Sequence, residues 1–355
     1  MPLNNLRAAF RPAVRATRGA ATSANSACQL AFDTVEPQEH DKQLVGQSLV
    51  ICHGLFGSKQ NWRSLSKTFA KRLGVPVYTV DLRNHGHSPH VRPHDYSHMA
   101  QDLSRFMRER GLAERGGVNL LGHSMQDLTR VSPTLRLCVG RLLMNHITCV
   151  LSARLLAHRF EAYTKGMQEI EDAKLRTKAE GDKLLQTYEK VCSCSWVQHS
   201  SHYTDDSFPH LPPPLRMYEP PQSLPTRQFL LTNALTDPTS QTLRFRIPLD
   251  ILRDSIPSIG EFPYVPPSAA AIPEAMREER ETASWSGPTL FIKGAHSKYI
   301  NARNLPICRA FFPNMEMETL EAGHWVHAER PREFVDAVER FIRANTAKAA
   351  AAAAA

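Results

Sequence analysis

Val118-Asn119-Leu120-Leu121 runs directly into Gly122-His123-Ser124-Met125. Three of the four leading residues are apolar, which predicts a buried strand. A strand that stops at Gly-x-Ser predicts a sharp turn with the serine hydroxyl exposed at the end of a parallel sheet. That is the front half of a nucleophile elbow. The pattern asks for glycine two residues after the serine, and this chain has Gln126. A side chain there is expected to press on the neighbouring strand and let the turn relax. Gly-His-Ser alone is a weak signal, because the tripeptide also occurs in ordinary loops.

Neighbouring stretches give the tripeptide a context. Gln47 to Cys52 reads as a strand that ends in His53-Gly54-Leu55-Phe56-Gly57-Ser58. Asn61 to Leu73 reads as a helix, with Trp62, Leu65, Phe69 and Leu73 on one face. Val75 to Val80 is a second strand, closing on Asp81-Leu82-Arg83-Asn84-His85-Gly86-His87-Ser88. His94 to Arg110 is helical, with Met99, Leu103 and Phe106 aligned. Alternating strands and helices predict a parallel sheet covered on both faces. Further on, Pro288 to Ile292 and Met315 to Leu320 read as strands. The second leads into Glu321-Ala322-Gly323-His324-Trp325-Val326-His327-Ala328-Glu329, and Arg332 to Ile342 reads as a helix.

H-G-L-F-G-S, V-D-L-R-N-H-G-H-S, L-L-G-H-S-M and A-G-H-W-V-H-A-E-x-P, in this order, resemble the α/β-hydrolase superfamily. Within it they resemble the abhydrolase-domain-11 type esterases and the fungal mitochondrial ethanol acetyltransferases. The resemblance covers residues 46–125, 160–190 and 226–343. It implies an α/β fold, a mostly parallel sheet flanked by helices, over residues 46–343. A helical cap is expected over about 160–285, including a long charged helix from Phe160 to Lys190.

The implied chemistry is serine-dependent acyl transfer on a small-molecule carboxylic ester or thioester. Ser124 is the nucleophile, since a serine hydroxyl needs a base within hydrogen-bond reach. His324 is that base, because it follows the last strand; His327, three residues on, is its competitor and fits the following turn. The backbone N–H groups of Leu55 and Met125 form the oxyanion hole. Ser297 matches a serine near the family's histidine and is a candidate for orienting His324. The catalytic acid is not identified. Residues 286–315 contain no Asp or Glu. The family's acid, in a D-x-A-P-V-D segment, would fall near Thr148. Asp81 is expected to hold the Arg83–Gly86 turn instead. Water as acceptor makes the chain an esterase, and an alcohol makes it an acyltransferase. The alternative is a catalytically impaired member of the fold with a partner-binding role, suggested by Gln126 and the missing acid. No metal, nucleotide or other cofactor is implied.

Composition narrows the remaining choices. At 355 residues and 42% apolar content the chain can bury one large decorated domain. No run of 18 apolar residues exists, so no transmembrane helix is expected. The net charge of +8 is local, with four arginines and no acid in 1–32, and five arginines and no acid in 128–160. The rest is nearly neutral, unlike a nucleic-acid-binding surface. The seven cysteines are odd in number and scattered, and read as reduced thiols.

Residues 1–30 are rich in Arg, Ala, Ser and Thr, with Leu6, Phe10 and Val14 four apart. This is the composition of a mitochondrial targeting segment. The folded core is expected to begin near Gln47, and Ala344 to Ala355 is expected to fray. Residues 126–159 lack the segments that the resemblance implies, and 191–225 hold seven prolines. Both are read as irregular stretches of altered coding that fold poorly.

Overall fold

The computed structural model describes residues 27–112, 117–124, 139–147, 153–199, 224–260, 284–297, 299–302 and 305–355. Its centre is a seven-stranded sheet. Across its width the order is β1 (Phe32–Val35), β3 (Val77–Val80), β2 (Ser48–Cys52), β4 (Val118–Ser124), β5 (Val139–Ile147), β8 (Thr289–Gly294) and β9 (Met315–Leu320). β1 is antiparallel to β3, and every other pairing is parallel. All residues of β2 and β3 are buried, as are the first six of β4. Strands covered on both faces need continuous apolar runs rather than alternation, which is what Leu49–Cys52 and Leu120–Leu121 supply.

Helices cover both faces. α1 (Arg63–Leu73) follows a 3-10 turn at Lys59–Trp62 and packs with α9 (Pro331–Ala354) on one face. Leu65, Phe69, Leu73, Phe334, Val338 and Phe341 fill that layer. α2 (Tyr96–Glu109) and α7 (Leu305–Phe311) lie on the other, with Met99, Leu103, Phe106, Ile307 and Phe311 buried. α2 starts at Asp95, whose side chain accepts the His98 N–H at 2.9 Å.

Above the sheet, α3 (Ala153–Asp172), α4 (Lys178–His199), α5 (Leu224–Leu231) and α6 (Leu249–Gly260) form a second layer. A short hairpin, β6 (Ala234–Thr236) with β7 (Leu243–Phe245), sits among them. The long helix expected from Phe160 to Lys190 is two helices. Thr177 and Glu180 explain the break. The Thr177 hydroxyl accepts the Glu180 N–H at 3.2 Å, and the Glu180 carboxylate accepts the Thr177 N–H at 2.9 Å. That reciprocal pair starts a new helix at Lys178.

Five more expectations change. The folded region begins well before Gln47: the Cys28 N–H donates to Asp102 at 2.6 Å, and the Ala31 N–H donates to the Ser88 hydroxyl at 2.8 Å. β1 then adds an edge strand. Within 126–159, residues Val139–Ile147 form β5, paired with both β4 and β8. Two preset neighbours make this strand, since its own sequence carries few β-branched residues. The start of the 191–225 stretch continues α4 to His199. The Ala-rich tail extends α9 to Ala354, as alanine is the best helix former. Cys308 is disulfide-bonded, against the expectation of reduced thiols. Scattered spacing gave no sign of a pair that only the fold brings together. No helix among the described residues is long and apolar enough to cross a membrane.

Candidate active site

β4 ends in Ser124, whose φ is +61°. A left-handed serine at a strand end is the strained turn that exposes a hydroxyl. The relaxation expected from Gln126 is therefore absent at Ser124; Gln126 itself lies outside the described residues. Gly54 lies directly against the turn. A Cβ there would sit 3.0 Å from His123 Nδ1 and 3.2 Å from Ser124 Cβ, so a side chain would have to push the serine turn back by a few tenths of an ångström. His324 Nε2 stands 3.3 Å from Ser124 Oγ.

The β2 loop that carries Leu55 is locked to the β3 loop by two buried histidines. His53 Nε2 accepts the Leu82 N–H at 3.0 Å, and its Nδ1 bonds the Gly54 carbonyl at 2.8 Å. His85 Nε2 accepts the Phe56 N–H at 3.1 Å, and its Nδ1 bonds the Arg83 carbonyl at 3.0 Å. Each ring accepts at Nε2, so each carries its proton on Nδ1. Burial pushes both pKa values down, that of His85 well below the ordinary value. His94, 5.5 Å from the His85 ring, is pushed down to about 3 by burial. The Gly57 N–H closes the loop on the Gly54 carbonyl at 2.9 Å. The amides of Phe56 and Gly57 are thus occupied within this frame, and neither bond takes up the Leu55 N–H.

Asp81 anchors the same frame. Its carboxylate accepts the Lys59 N–H at 2.7 Å and the His87 N–H at 2.9 Å, and faces the Lys59 ammonium at 3.6 Å. This is the turn-holding role expected of it. Arg83 forms a buried two-pronged pair with Asp102, at 2.6 and 2.8 Å, and donates to the Pro93 carbonyl.

His324 sits in the loop between β9 and α8 (Val326–Glu329). The Glu329 carboxylate accepts the Gly323 N–H at 2.7 Å and the Trp325 N–H at 3.3 Å, bracketing His324. Gly294, at the end of β8, meets the Gly323 carbonyl so closely that a Cβ would overlap it. Tyr299 stacks on the His324 ring, with centroids 4.0 Å apart and planes at 23°. His123 lies 5.0 Å from that ring, bonded to the His324 backbone; burial brings its pKa down to about 4.

The two histidines weighed in the sequence thus part company. His324 meets Ser124, whereas His327 is buried and stacked on Trp62, with centroids 4.4 Å apart. The Ser297 hydroxyl accepts the Tyr299 N–H at 3.4 Å, so it touches the residue stacked on His324. Met125 and Thr148 lie outside the described residues. The carboxylates of the histidine loop are engaged elsewhere: Glu321 pairs with His296 at 2.5 Å, and Glu329 with the two amides. Glu329, Tyr299 and Asn233, whose amide reaches the Phe56 carbonyl at 2.7 Å, were not picked out in the sequence. Asn233 follows a helix end, where asparagine commonly stands, and so gave a signal for structure only.

A serine on a left-handed strand end, a histidine after the last strand and a His-Gly loop beside them define the hydrolase class on this sheet. The family described as alpha/beta hydrolase fold matches residues 47–125. The sn-1-specific diacylglycerol lipase ABHD11 of Mus musculus is 32% identical over 298 residues, 83% of this chain and 80% of the relative. A probable alcohol acetyltransferase of Saccharomyces cerevisiae is 32% identical over 307 residues, 83% of this chain and 76% of the relative. An abhydrolase domain-containing protein of Schizosaccharomyces pombe is 30% identical over 83% of this chain and 91% of its own length. Among solved structures, a marine microorganism esterase superposes with a TM-score of 0.62 at 24% identity, over 88% of this chain and 99% of that one. The chain belongs to the α/β-hydrolase family, in the group that holds ABHD11 and the yeast alcohol acetyltransferases.

Proposed function

We propose that the chain is a serine-dependent acyl hydrolase acting on a carboxylic ester or thioester, and able to pass the acyl group to an alcohol. The observation that carries this reading is the 3.3 Å approach of His324 Nε2 to Ser124 Oγ on a turn with φ of +61°. Ser124 Oγ attacks the carbonyl carbon while its proton moves to His324 Nε2. The carbonyl oxygen gains negative charge, and the Leu55 N–H, joined by that of Met125, receives it. Preorganised donors of this kind are each worth about 2.7–4 kcal/mol in the transition state. The tetrahedral species collapses as His324 returns the proton to the leaving oxygen or sulfur, leaving an acyl-serine. Water or an alcohol, deprotonated by His324, then releases the acid or a new ester. The names of the relatives, a lipase and an acetyltransferase, fit the two acceptors. An acid that orients His324 is sought near Thr148, the position the family resemblance implies.

A fluorophosphonate probe tests the reading directly. Labelling is expected on Ser124, lost in Ser124→Ala and in His324→Ala, with parallel loss of short-chain nitrophenyl ester hydrolysis. Silence of the probe on the unmodified protein would favour the non-catalytic, partner-binding alternative. Ethanol added to a turnover assay separates the two acceptors: an ethyl ester accumulating in place of free acid marks an acyltransferase.

Residues 1–30, Arg-rich and acid-free, support mitochondrial targeting. A reporter fused behind them is expected in mitochondria. Truncation is expected to be harmless to folding only up to about residue 26, because the Ala27 carbonyl accepts from Arg105 at 2.8 Å and the Cys28 amide is bonded to Asp102.

A further inference from the structure

Phe56 is one of the few non-glycine residues with a left-handed backbone, at φ +61°. It occupies the third position of the turn Gly54-Leu55-Phe56-Gly57, closed by the Gly57 N–H on the Gly54 carbonyl at 2.9 Å. A positive φ at that position normally calls for glycine or asparagine. A bulky residue holds it only where its surroundings over-determine the conformation.

The surroundings do so from two sides. From the sheet layer, His85 Nε2 accepts the Phe56 N–H at 3.1 Å. From the layer above, Asn233 Nδ2 donates to the Phe56 carbonyl at 2.7 Å, and Phe160 of α3 meets the Phe56 ring edge-on at 5.9 Å. Asn233 is 2% exposed. Its own backbone is fixed at both groups: its N–H donates to the Leu230 carbonyl at 3.1 Å, and its carbonyl accepts the Arg246 N–H at 3.0 Å. The amide is thus presented by a rigid corner between α5 and the β6–β7 hairpin.

Resting on the reading of Ser124 as nucleophile and of the Leu55 N–H as oxyanion donor, we propose that Asn233 is a positioning residue. It holds Phe56 left-handed, and so aims the Leu55 N–H at the developing oxyanion. The link is covalent and short. The Gly54 carbonyl that closes the turn lies in the same peptide plane as the Leu55 N–H. Relaxation of Phe56 to negative φ opens that closure and turns the donor. The upper layer thereby also completes the catalytic frame beneath it.

Asn233→Asp is nearly isosteric and replaces the donor with an acceptor facing the Phe56 carbonyl; Asn233→Ala removes it outright. Both are expected to lower kcat for nitrophenyl acetate about 10- to 100-fold, a part of what losing one oxyanion donor costs, with KM changed less than about threefold. Affinity for an alkylboronic acid, whose serine adduct is a tetrahedral anion, should fall by the same factor as kcat. Arg227→Ala breaks the 2.7 Å pair with Asp182 in the same layer and should leave kcat within about twofold. The decisive arm is Phe56→Gly. Glycine takes positive φ without strain, so Asn233→Ala should cost much less kcat in that background. Folded Asn233 variants with normal kcat and boronate affinity would overturn the inference, as would a loss confined to KM or an equal loss in the Phe56→Gly background. Undiminished turnover in Ser124→Ala would instead remove the nucleophile reading, and this inference with it.

Discussion

The two sides of the site are held in opposite ways. The Leu55 side rests on buried, neutral histidines and a buried ion pair: His53, His85, Arg83 and Asp102 are all about 1% exposed or less. The His324 side rests on backbone contacts and on the carboxylate of Glu329, which lies at the surface. A buried polar frame is rigid when every partner is present and costly to break when one is removed. A surface clamp is weaker and forgiving. The Leu55 side, the proposed oxyanion side, is therefore expected to fail as a unit, and the histidine side by degrees.

The largest effect is expected at the histidine that joins the two sides. His324→Ala should lower ester turnover by at least about 10⁴-fold, since a serine cannot shed its proton without a base. His327→Ala should act mainly on stability, through lost stacking on Trp62, with turnover reduced less than about tenfold. Steady-state kinetics beside thermal melts decide it. Equal losses of turnover at both positions would mean that the loop, rather than one ring, is what matters.

Next comes the frame itself. Asp102→Ala leaves the Arg83 guanidinium buried with only the Pro93 carbonyl, and should cost about 3–5 kcal/mol in urea unfolding. A cost below about 1 kcal/mol would show that the oxyanion side is as tolerant as the other. Acid should expose the same contrast. His53, His85, His94 and His123 all have folded pKa values below the ordinary 6.5, those of His94 and His123 at about 3 and 4. The unfolded chain then binds more protons than the folded one, so stability is intact above about pH 6.5 and falls as pH drops toward 4. Urea midpoints measured from pH 7 to 4 should fall steadily. A flat profile would mean that these rings charge without cost.

How much of this the sequence disclosed follows the same division. Short-range grammar was readable. The strands ending at Cys52, Val80 and Ser124 announce themselves by apolar runs, and His-Gly, Gly-His-Ser and Gly-His-Trp mark their loops. Long-range pairing was not. Asp102 lies on α2, nineteen residues from Arg83, and nothing in either stretch points to the other. β5 carries no period of its own and is a strand because β4 and β8 flank it. The break at Thr177 was readable as Thr-x-x-Glu, but the run of charged residues around it hid the signal. Asn233 lies 177 residues from Phe56, so its role appears only in the folded chain.

The smallest expected effect tests the forgiving side. Glu329→Gln keeps one oxygen for either the Gly323 or the Trp325 amide, and turns an N–H group toward the other. One bond of the pair is lost at an exposed position, so unfolding should change by about 1 kcal/mol or less. His324 remains held by Tyr299 stacking and by the close contact of Gly294 with Gly323, so turnover should fall no more than about tenfold. The pH dependence of kcat should keep its shape, because Glu329 meets backbone amides and leaves the ring to its other neighbours. If Glu329→Gln instead lost as much turnover as His324→Ala, the carboxylate would be acting on the imidazole itself. The histidine side would then prove as unforgiving as the oxyanion side.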